Sequence, residues 1–197
     1  MSVYLTPIRW QRRSPITDQG GIGSCTGHAM AGVIGTDGLN RTGRSDVGEE
    51  LALELYALAT RLDIWPGEYP EQDTGSSGTA VVEAAKQLGH IRSYWYTRSL
   101  QGALRALQFG PCVVGFPWLT GCEDPRADAL VPYTGHSKGG HEVELVGWEP
   151  AEQRFVFANS RGPDYGDNGF FRMTYRDLGH ALRLGGDVIL PIFPETP

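Results

Sequence analysis

The chain has few cysteines, no run of basic residues and no long apolar stretch, and each shortage argues against a class of function. Its 197 residues include three cysteines and carry a formal net charge of −6. With no basic run to follow a phosphate backbone, nucleic acid is not an expected partner. No apolar stretch approaches the roughly 20 residues that cross a bilayer, so no membrane partner is expected either.

The rest of the composition is that of an ordinary globular protein. The sequence is 40% hydrophobic and 20% charged, and its length suits one domain or two tightly packed halves. Residues 1–13 are too polar for a secretory signal peptide. Without such a signal, the composition favours a reducing compartment in which a thiol stays usable. Cys112 is expected to be a buried thiol, and a Cys112–Cys122 disulfide is the less favoured alternative.

The segment 15–25 carries the strongest chemical signal. It places Cys25 directly after a Gly-Ser pair at the predicted start of a helix, with Gln19 shortly before it. A helix N-terminus favours a thiolate, and polar donors nearby can stabilise a developing oxyanion. The pattern indicates a cysteine nucleophile, although a lone cysteine in a Gly-rich segment is more often a small buried residue.

Two later segments contain residues that would complete such a site. His141 follows two glycines and precedes an apolar stretch, and Asn159 precedes Ser160 and further glycines. A histidine can hold the thiol proton, and an amide can fix the orientation of the imidazole. The plainer interpretations are a core or surface histidine, a turn that begins at Asn159, and a surface side chain at Gln19.

The three segments, in this order, resemble the papain-like cysteine peptidase family. In that family the nucleophile segment reads Gln-Gly-x-Cys-Gly-Ser-Cys-Trp, and residues 19–26 are similar to it. The histidine follows small residues at the start of a Val-rich strand, as in residues 140–147. The asparagine opens an Asn-Ser-Trp-Gly segment followed by Gly-x-x-Gly-Tyr, which residues 159–171 resemble. The likeness implies a compact member of bacterial or phage type, without a pro-segment.

The chain departs from the family pattern at three positions. Ile22 stands where the first motif cysteine would be, so a disulfide typical of secreted members is missing. Thr26 replaces the tryptophan after the nucleophile, and Arg161 replaces the tryptophan that usually shields the His-Asn pair. These changes leave the catalytic atoms in place, but they affect how dry the site is.

The resemblance implies a role for each matched residue. Cys25 would attack a peptide carbonyl as thiolate, and His141 would hold the proton and then donate it to the leaving amine. Asn159 would orient the imidazole, and Gln19 with the backbone N–H of Cys25 would bind the oxyanion. No cofactor is implied. No metal site is expected, because close pairs of cysteine or histidine are missing from the sequence.

The order of predicted elements indicates an α+β protein. Helical spacing predicts four helices in the first half, with capping residues at Ser24, at Asp46 with Glu49, at Ser77 and at Ser99. Strands are predicted in the second half, over 112–117, 142–148, 153–159, 169–174 and 187–193. The resemblance implies a single papain-like catalytic domain over 1–197. A helical lobe over about 11–108 would face an antiparallel β-barrel-like lobe over 109–197, with the cleft between them.

Substrate-binding residues are implied by the same resemblance. The loop Gly75, Ser76, Ser77 and Gly78 would flank the substrate backbone and edge the pocket for the second residue before the scissile bond. Gly140 would let the substrate backbone approach closely. Pro117, Trp118 and Glu142 would line the far wall, where Glu142 would favour basic side chains. The alternative is that strand alternation points Glu142 to solvent.

The predicted function is therefore a cysteine-type endopeptidase acting on a peptide or protein substrate. Two alternatives stay open: an acyl transferase or amidase with the same triad, such as a peptide ligase or cell-wall amide hydrolase, and a catalytically weakened peptide-binding homologue. The expected location is cytoplasmic or virion-associated. The oligomeric state cannot be read from the sequence.

Overall fold

The computed structural model describes residues 6–194 and combines helices with one antiparallel sheet. Five α-helices lie within this range: α1 (Cys25–Ile34), α2 (Glu49–Leu62), α3 (Gly78–Gln87), α4 (Leu100–Ala106) and α5 (Tyr175–Arg183), and a short 3-10 helix covers Thr120–Glu123. The seven strands of the same range are β1 (Ile8–Arg9), β2 (Ser93–Thr97), β3 (Cys112–Leu119), β4 (Ser137–Glu149), β5 (Arg154–Ala158), β6 (Phe170–Thr174) and β7 (Asp187–Ile192). The predicted α+β class is confirmed.

The sheet is open rather than closed into a barrel. Its strands follow the order β2-β7-β3-β4-β5-β6, and β1 pairs with β4 outside this path. All of these pairings are antiparallel. Within residues 6–194 the two end strands, β2 and β6, do not pair with each other. The predicted barrel-like closure of this half is thus wrong, whereas its strands are antiparallel as expected.

Two hydrophobic clusters give the molecule its two halves. One combines α1, α2 and α3 around residues such as Met30, Leu55 and Val81. The other packs the inner face of the strands, with Phe155 and Phe157 fully buried. Helix α4 contributes to the second cluster, so it packs with the strands although it precedes most of them in the chain. The division of the chain near residue 108 stays a prediction.

Helix α1 runs between the two halves and is buried along almost its whole length. Every residue from Thr26 to Ile34 is buried, and only Cys25 at the N-terminus is partly exposed. Gly27 lets α1 approach α2 closely, because a Cβ there would lie 2.0 Å from the backbone oxygen of Ala52. A helix buried on all sides is held in one position, which fixes the place of the residue at its N-terminus.

Two of the four predicted helix caps are confirmed. The hydroxyls of Ser77 and Ser99 accept hydrogen bonds from backbone N–H groups of α3 and α4. Ser24 makes no capping bond, since its backbone is not extended and its side chain is buried. Helix α2 begins at Glu49 after Gly48, so the capping box predicted from Asp46 is wrong.

Three elements were not predicted. They are β1, β2 and α5, and β2 matters most because it joins the N-terminal half of the chain to β7. The five predicted strands are all present, and the strand predicted over 142–148 extends to Ser137–Glu149. Cys112 and Cys122 are both buried free thiols, which confirms the burial of Cys112 and excludes the alternative disulfide.

Candidate active site

A cavity of about 750 Å³ opens where the two halves meet. All nine candidate residues that were expected to face substrate line it: Gln19, Cys25, Gly75, Ser76, Ser77, Gly78, Gly140, His141 and Glu142. Cys25 reaches it from the start of α1, and His141 from β4. The predicted residues therefore come together although they lie far apart in the sequence.

Asn159 lies directly behind His141. The His141 Nε2 and Asn159 Oδ1 atoms are 2.8 Å apart, and both residues are buried. The same Asn159 oxygen accepts a bond from the backbone N–H of Ser160 at 2.9 Å, which holds the amide in place. Because Nε2 is engaged with Asn159, Nδ1 is the ring nitrogen left for other chemistry.

The Cys25 thiol sits against the backbone that follows His141. The N–H of Glu142 donates toward the sulfur, as do the N–H groups of Cys25 and Thr26, and all three lower the thiol pKa. Burial outweighs them and raises the pKa of Cys25 to about 11. The N–H groups at the start of α1 thus lower the thiol pKa as expected, but the increase caused by burial is larger.

Burial acts on His141 in the opposite sense. It lowers the imidazole pKa to about 4, against the hydrogen bond with Asn159, which raises it. The Arg161 charge lowers the His141 pKa further, and the Glu123 charge raises it. At neutral pH the Cys25 thiol and the His141 imidazole are therefore both uncharged. Charged forms are favoured only together, when the proton moves from the thiol to the imidazole and two opposite charges face each other.

Gln19 is tied to the segment that follows the asparagine. Its Oε1 accepts a hydrogen bond from the Ser160 hydroxyl at 2.6 Å, and its Nε2 donates to the Ile22 carbonyl at 2.8 Å. The Gln19 backbone N–H also donates to the Ser160 carbonyl at 2.9 Å. The Gln19 amide has a second N–H beyond the one that bonds Ile22, and Gln19 lines the cavity. Ser160 is thus a supporting residue that sequence reasoning treated only as part of a turn.

Trp118 packs against His141 and lies close to Arg161, the residue that stands in place of the family's shielding tryptophan. Its ring meets the His141 imidazole at a centroid distance of 4.6 Å in an edge-on arrangement. The indole N–H donates to the Glu123 carboxylate, which also pairs with Arg161 at 3.0 Å. The Arg161 guanidinium lies 5.3 Å from the Trp118 ring centroid. A tryptophan from β3 therefore covers the imidazole, held by an acid and the substituted arginine.

A second network joins the nucleophile segment to the loop of residues 75–78. The Asp73 carboxylate accepts bonds from the Tyr56 hydroxyl and from the Gly23 backbone N–H, the latter at 2.9 Å to one oxygen. The Tyr56 hydroxyl in turn accepts from the Gly75 N–H at 3.0 Å. Tyr56 is fully buried, so this network anchors the nucleophile segment and the loop of residues 75–78 to α2.

Glu142 faces the cavity rather than solvent. Its side chain is buried at 8% relative exposure, and a Cβ added at Gly78 would lie 2.9 Å from its Oε1. The alternative orientation left open by strand alternation is therefore wrong. Asp187, at the start of β7, lines the same cavity and was not among the predicted residues.

The described part of the chain has neither a metal-binding cluster nor a membrane-spanning helix. Within residues 6–194 no group of three or more His, Cys, Asp or Glu side chains is placed to hold a metal ion. None of the helices in that range has the length and apolar character needed to cross a membrane.

Comparisons with known proteins find curated relatives that match only part of the chain. No family model matches the chain. Cathepsin B-like CP2 of Giardia intestinalis is 43% identical over 42 residues, which are 20% of this chain and 14% of that protein. Cathepsin B-like cysteine proteinase 1 of Ostertagia ostertagi is 28% identical over 118 residues, which are 53% of this chain and 35% of that protein. The chain thus spans about a third or less of the length of these curated relatives.

Solved structures give the fold. Xylellain, a cysteine protease from Xylella fastidiosa, superimposes with a TM-score of 0.61 at 20% identity. The match covers 98% of this chain and 89% of that one. The two-lobed papain-like fold predicted from the sequence is thereby confirmed.

Proposed function

We propose that this chain is a cysteine endopeptidase that hydrolyses peptide bonds through Cys25, His141 and Asn159. Its papain-like fold is the premise, and the observation that carries the proposal is the arrangement around His141. One ring nitrogen is bound by Asn159 at 2.8 Å, while the backbone after His141 contacts the Cys25 thiol. A nucleophile, a base and an orienting group in this order are what acyl transfer by a cysteine requires.

The reaction would begin with proton transfer from the Cys25 thiol to Nδ1 of His141. The thiolate then attacks the carbonyl carbon of the substrate, and the carbonyl oxygen takes up the negative charge. The free N–H of the Gln19 amide and the backbone N–H of Cys25 would bind that oxyanion. When the intermediate collapses, His141 gives its proton to the leaving amine, which leaves a thioester on Cys25.

Water completes the cycle by attacking the thioester. His141 accepts a proton from that water as the new bond forms, and the thiol is released with the carboxylic acid product. Asn159 stays neutral throughout and keeps the imidazole in the orientation in which Nδ1 faces the sulfur. A neutral orienting group suits the site, because the thiolate and imidazolium already supply opposite charges to each other.

The cavity walls suggest how the substrate backbone would lie. Gly75, Ser76, Ser77 and Gly78 form one edge of the cleft and Gly140 the other, so an extended peptide would run between them. Gly140 would permit close approach of the substrate next to His141. Residues from about 11 to 108 and from 109 to 197 would then act as the two lobes of a single catalytic unit. The protein would be cytoplasmic or virion-associated and would act on peptides or proteins.

One observation favours a weaker second candidate. Burial raises the pKa of Cys25 to about 11 and lowers that of His141 to about 4, so a neutral thiol and imidazole are the stable resting forms. A homologue that binds peptides but cleaves them slowly would have this property. An enzyme that passes the acyl group to an amine instead of water would share the same thioester and the same residues.

The experiment that tests the proposal is incubation with a defined mixture of unrelated peptides, followed by mass spectrometry of the products. New termini that appear with the wild type and not with Cys25→Ala would support an endopeptidase. Adding a primary amine and finding ligated products in place of acids would favour the acyl transferase. Binding of peptides by both proteins without any cleavage would favour the weakened homologue and overturn the proposal.

A further inference from the structure

Two cations and one acid form a cluster beside the covered face of His141. Lys138 lies on β4 shortly before the histidine, and its Nζ is 3.1 Å from the Glu123 carboxylate. Arg161 pairs with the same carboxylate at 3.0 Å. The indole N–H of Trp118, whose ring packs on His141, also donates to Glu123. Lys138, Arg161 and Glu123, here called the basic cluster, are thereby fixed next to the proposed base.

The basic cluster has one more positive charge than negative charge. Among residues 6–194, Glu123 is the only acid that forms an ion pair with Lys138 or Arg161. Both of its carboxylate oxygens already accept hydrogen bonds. Asp18 pairs with Arg161 through the backbone, but its carboxylate accepts a bond from the Gly20 N–H at 2.9 Å. The described chain thus leaves one positive charge here without a counter-ion, although the net charge of the protein is −6.

Lys138 offers unused hydrogen-bond donors at the rim of the cavity. Its ammonium has three N–H groups, and within residues 6–194 it donates to Glu123 alone. The side chain is 50% exposed, and its chain neighbours Ser137 and Gly139 both line the cavity. The buried Nε of Arg161 has no hydrogen-bond partner in the same part of the chain. A peptide that lies in the cavity therefore passes within reach of a cation that can accept a further anion.

The position of the basic cluster indicates which part of a substrate would meet it. The loop of residues 75–78 is expected to edge the pocket for residues before the scissile bond. The three members of the basic cluster lie outside the lining of that cavity, and they adjoin His141 through Trp118 instead. His141 would give its proton to the leaving amine. The residues that follow the scissile bond would therefore pass over the basic cluster.

A carboxylate bound there would also assist the proton transfer. Burial lowers the pKa of His141 to about 4, and the Arg161 charge contributes to that decrease. An anion close to Arg161 offsets its charge and so favours the charged imidazole. A substrate that carries its own carboxylate to this position would thereby favour formation of the thiolate and imidazolium pair.

We propose that Lys138, with Arg161 beside it, binds the side-chain carboxylate of an aspartate or glutamate at the first or second residue after the scissile bond. The selection of cleavage sites rests on the proposed peptidase function, whereas the binding of the carboxylate does not. Lysine has a flexible stem and rotatable donors, so Lys138 can turn toward a substrate while Arg161 stays with Glu123. The C-terminal carboxylate of a short peptide carries the same group, and the test separates the two sources.

The cleavage test uses quenched fluorescent peptides of one sequence, all amidated at the C-terminus. Glutamate or glutamine is placed at the first or second residue after the scissile bond, since glutamine keeps the shape and removes the charge. At one of these positions kcat/KM should be about fivefold higher for glutamate, the upper end for a partly exposed ion pair. Lys138→Gln should reduce this ratio to about one, and Lys138→Arg should retain most of it. Lys138→Glu should favour a lysine peptide instead.

The controls separate a specific site from general charge attraction. Lys86 is the only other lysine of the chain, and it lies on α3, pairs with Glu83 and does not line the cavity. Lys86→Gln should leave the preference for glutamate unchanged. A glutamine peptide with a free C-terminus is compared with its amide. A gain from the free C-terminus alone, or a glutamate preference that survives Lys138→Gln, would overturn the proposal.

Binding gives the second readout and separates this proposal from the proposed function. In Cys25→Ala protein, which has no nucleophile, the same glutamate and glutamine peptides carry a single fluorophore, and their Kd values are compared. The glutamate peptide should bind about fivefold more tightly at one position, and adding Lys138→Gln should remove the difference. Cleavage by the wild type without a glutamate preference would contradict this proposal alone. A binding preference that depends on Lys138, without any cleavage by the wild type, would contradict the peptidase function alone.

Discussion

The indole ring of Trp118 meets the His141 imidazole edge-on, with 4.6 Å between the ring centroids. Trp118 lies on β3 and His141 on the neighbouring strand β4, where Phe116 pairs directly with His141. The tryptophan is almost fully buried and excludes water from one side of the imidazole. In this chain the shield of the His-Asn pair therefore comes from the strand beside the histidine, while Arg161 helps to hold it.

Trp118→Phe is expected to reduce kcat/KM by up to about tenfold. Phenylalanine keeps an aromatic ring but loses both the larger contact with His141 and the N–H bond to Glu123, and such aromatic pairs contribute about 0.5–1.5 kcal/mol. Steady-state hydrolysis of a peptide substrate measures the effect. Trp95→Phe is the matched control, since Trp95 is 44% exposed on β2 and lies outside the cavity. An equal decrease in kcat/KM in both variants would show that the contact of Trp118 with His141 does not contribute to catalysis.

Arg161→Gln and Glu123→Gln are expected to move the His141 pKa in opposite directions. The Arg161 charge lowers this pKa and the Glu123 charge raises it. Removing the arginine should therefore raise the pKa above about 4, and removing the acid should lower it. Titration of the imidazole signals by NMR in the Cys25→Ala background measures both changes. A shift of the same sign in the two variants would contradict this electrostatic account.

His28 should make the protein less stable in mild acid. This buried imidazole shares a 2.8 Å hydrogen bond with the Thr17 hydroxyl, and burial lowers its pKa from 6.5 to about 4. The folded state thus binds the proton less readily than the unfolded chain. The contribution of His28 to the free energy of unfolding is therefore complete above pH 6.5. It decreases as the pH drops toward 4, by on the order of 3 kcal/mol.

Urea unfolding of the wild type and of His28→Gln at several pH values isolates that contribution. The difference between the two should shrink as the pH falls from 6.5 to 4. Comparing the two proteins cancels the effect of Glu142 and Asp187, whose raised pKa values act in the opposite direction and favour the folded state in acid. A difference that does not depend on pH would show that His28 titrates alike in both states.

Tyr56→Phe is expected to raise KM more than it changes kcat. The Tyr56 hydroxyl joins the Gly75 N–H to Asp73, which binds the Gly23 N–H, so its loss frees the loop of residues 75–78. That loop would bind the substrate backbone, whereas His141 and Asn159 are untouched. The bond from the Gly75 N–H, which is the one that holds the loop, is a neutral hydrogen bond that contributes about 1 kcal/mol, so a rise in KM of about fivefold is expected.

The control for this change is Tyr96→Phe, which removes a hydroxyl from a 41% exposed tyrosine on β2. It should leave both kinetic constants unchanged. A loss confined to kcat in Tyr56→Phe would instead connect Tyr56 to the positioning of Cys25 through Gly23. Amide hydrogen exchange at Gly75 should be faster in Tyr56→Phe in either case.

The sequence predicted the parts of this structure that depend on local pattern. Ser77 and Ser99 precede apolar residues at helical spacing, and both cap helices as expected. Cys25, His141 and Gln19 stand in short segments whose order resembles a known family, so their convergence on one cavity could be anticipated. The open sheet could not be predicted in this way, because strand pairing depends on contacts between residues far apart in the chain.

The missed residues share the same cause. Asp187 lies far in sequence from Glu142, which was predicted, and only the pairing of both strands with Gly115 shows that the two residues share one face of the sheet. Ser160 was visible beside Asn159, but its bond to Gln19 required the position of another segment. For β2 a signal did exist in the aromatic residues Tyr94, Trp95 and Tyr96, which favour strands.

The pairing of Cys25 with His141 can be measured by labelling Cys25 with a peptidyl epoxide and recording intact mass from pH 4 to 9. Cys112 and Cys122 are buried, so they should not compete for the reagent. We expect one adduct on the wild type, none on Cys25→Ala, and labelling slowed by about 100-fold in His141→Ala, because a positioned base is lost. Labelling at the rate of an ordinary free thiol, with no dependence on His141, would contradict the claim that these two residues act as a pair.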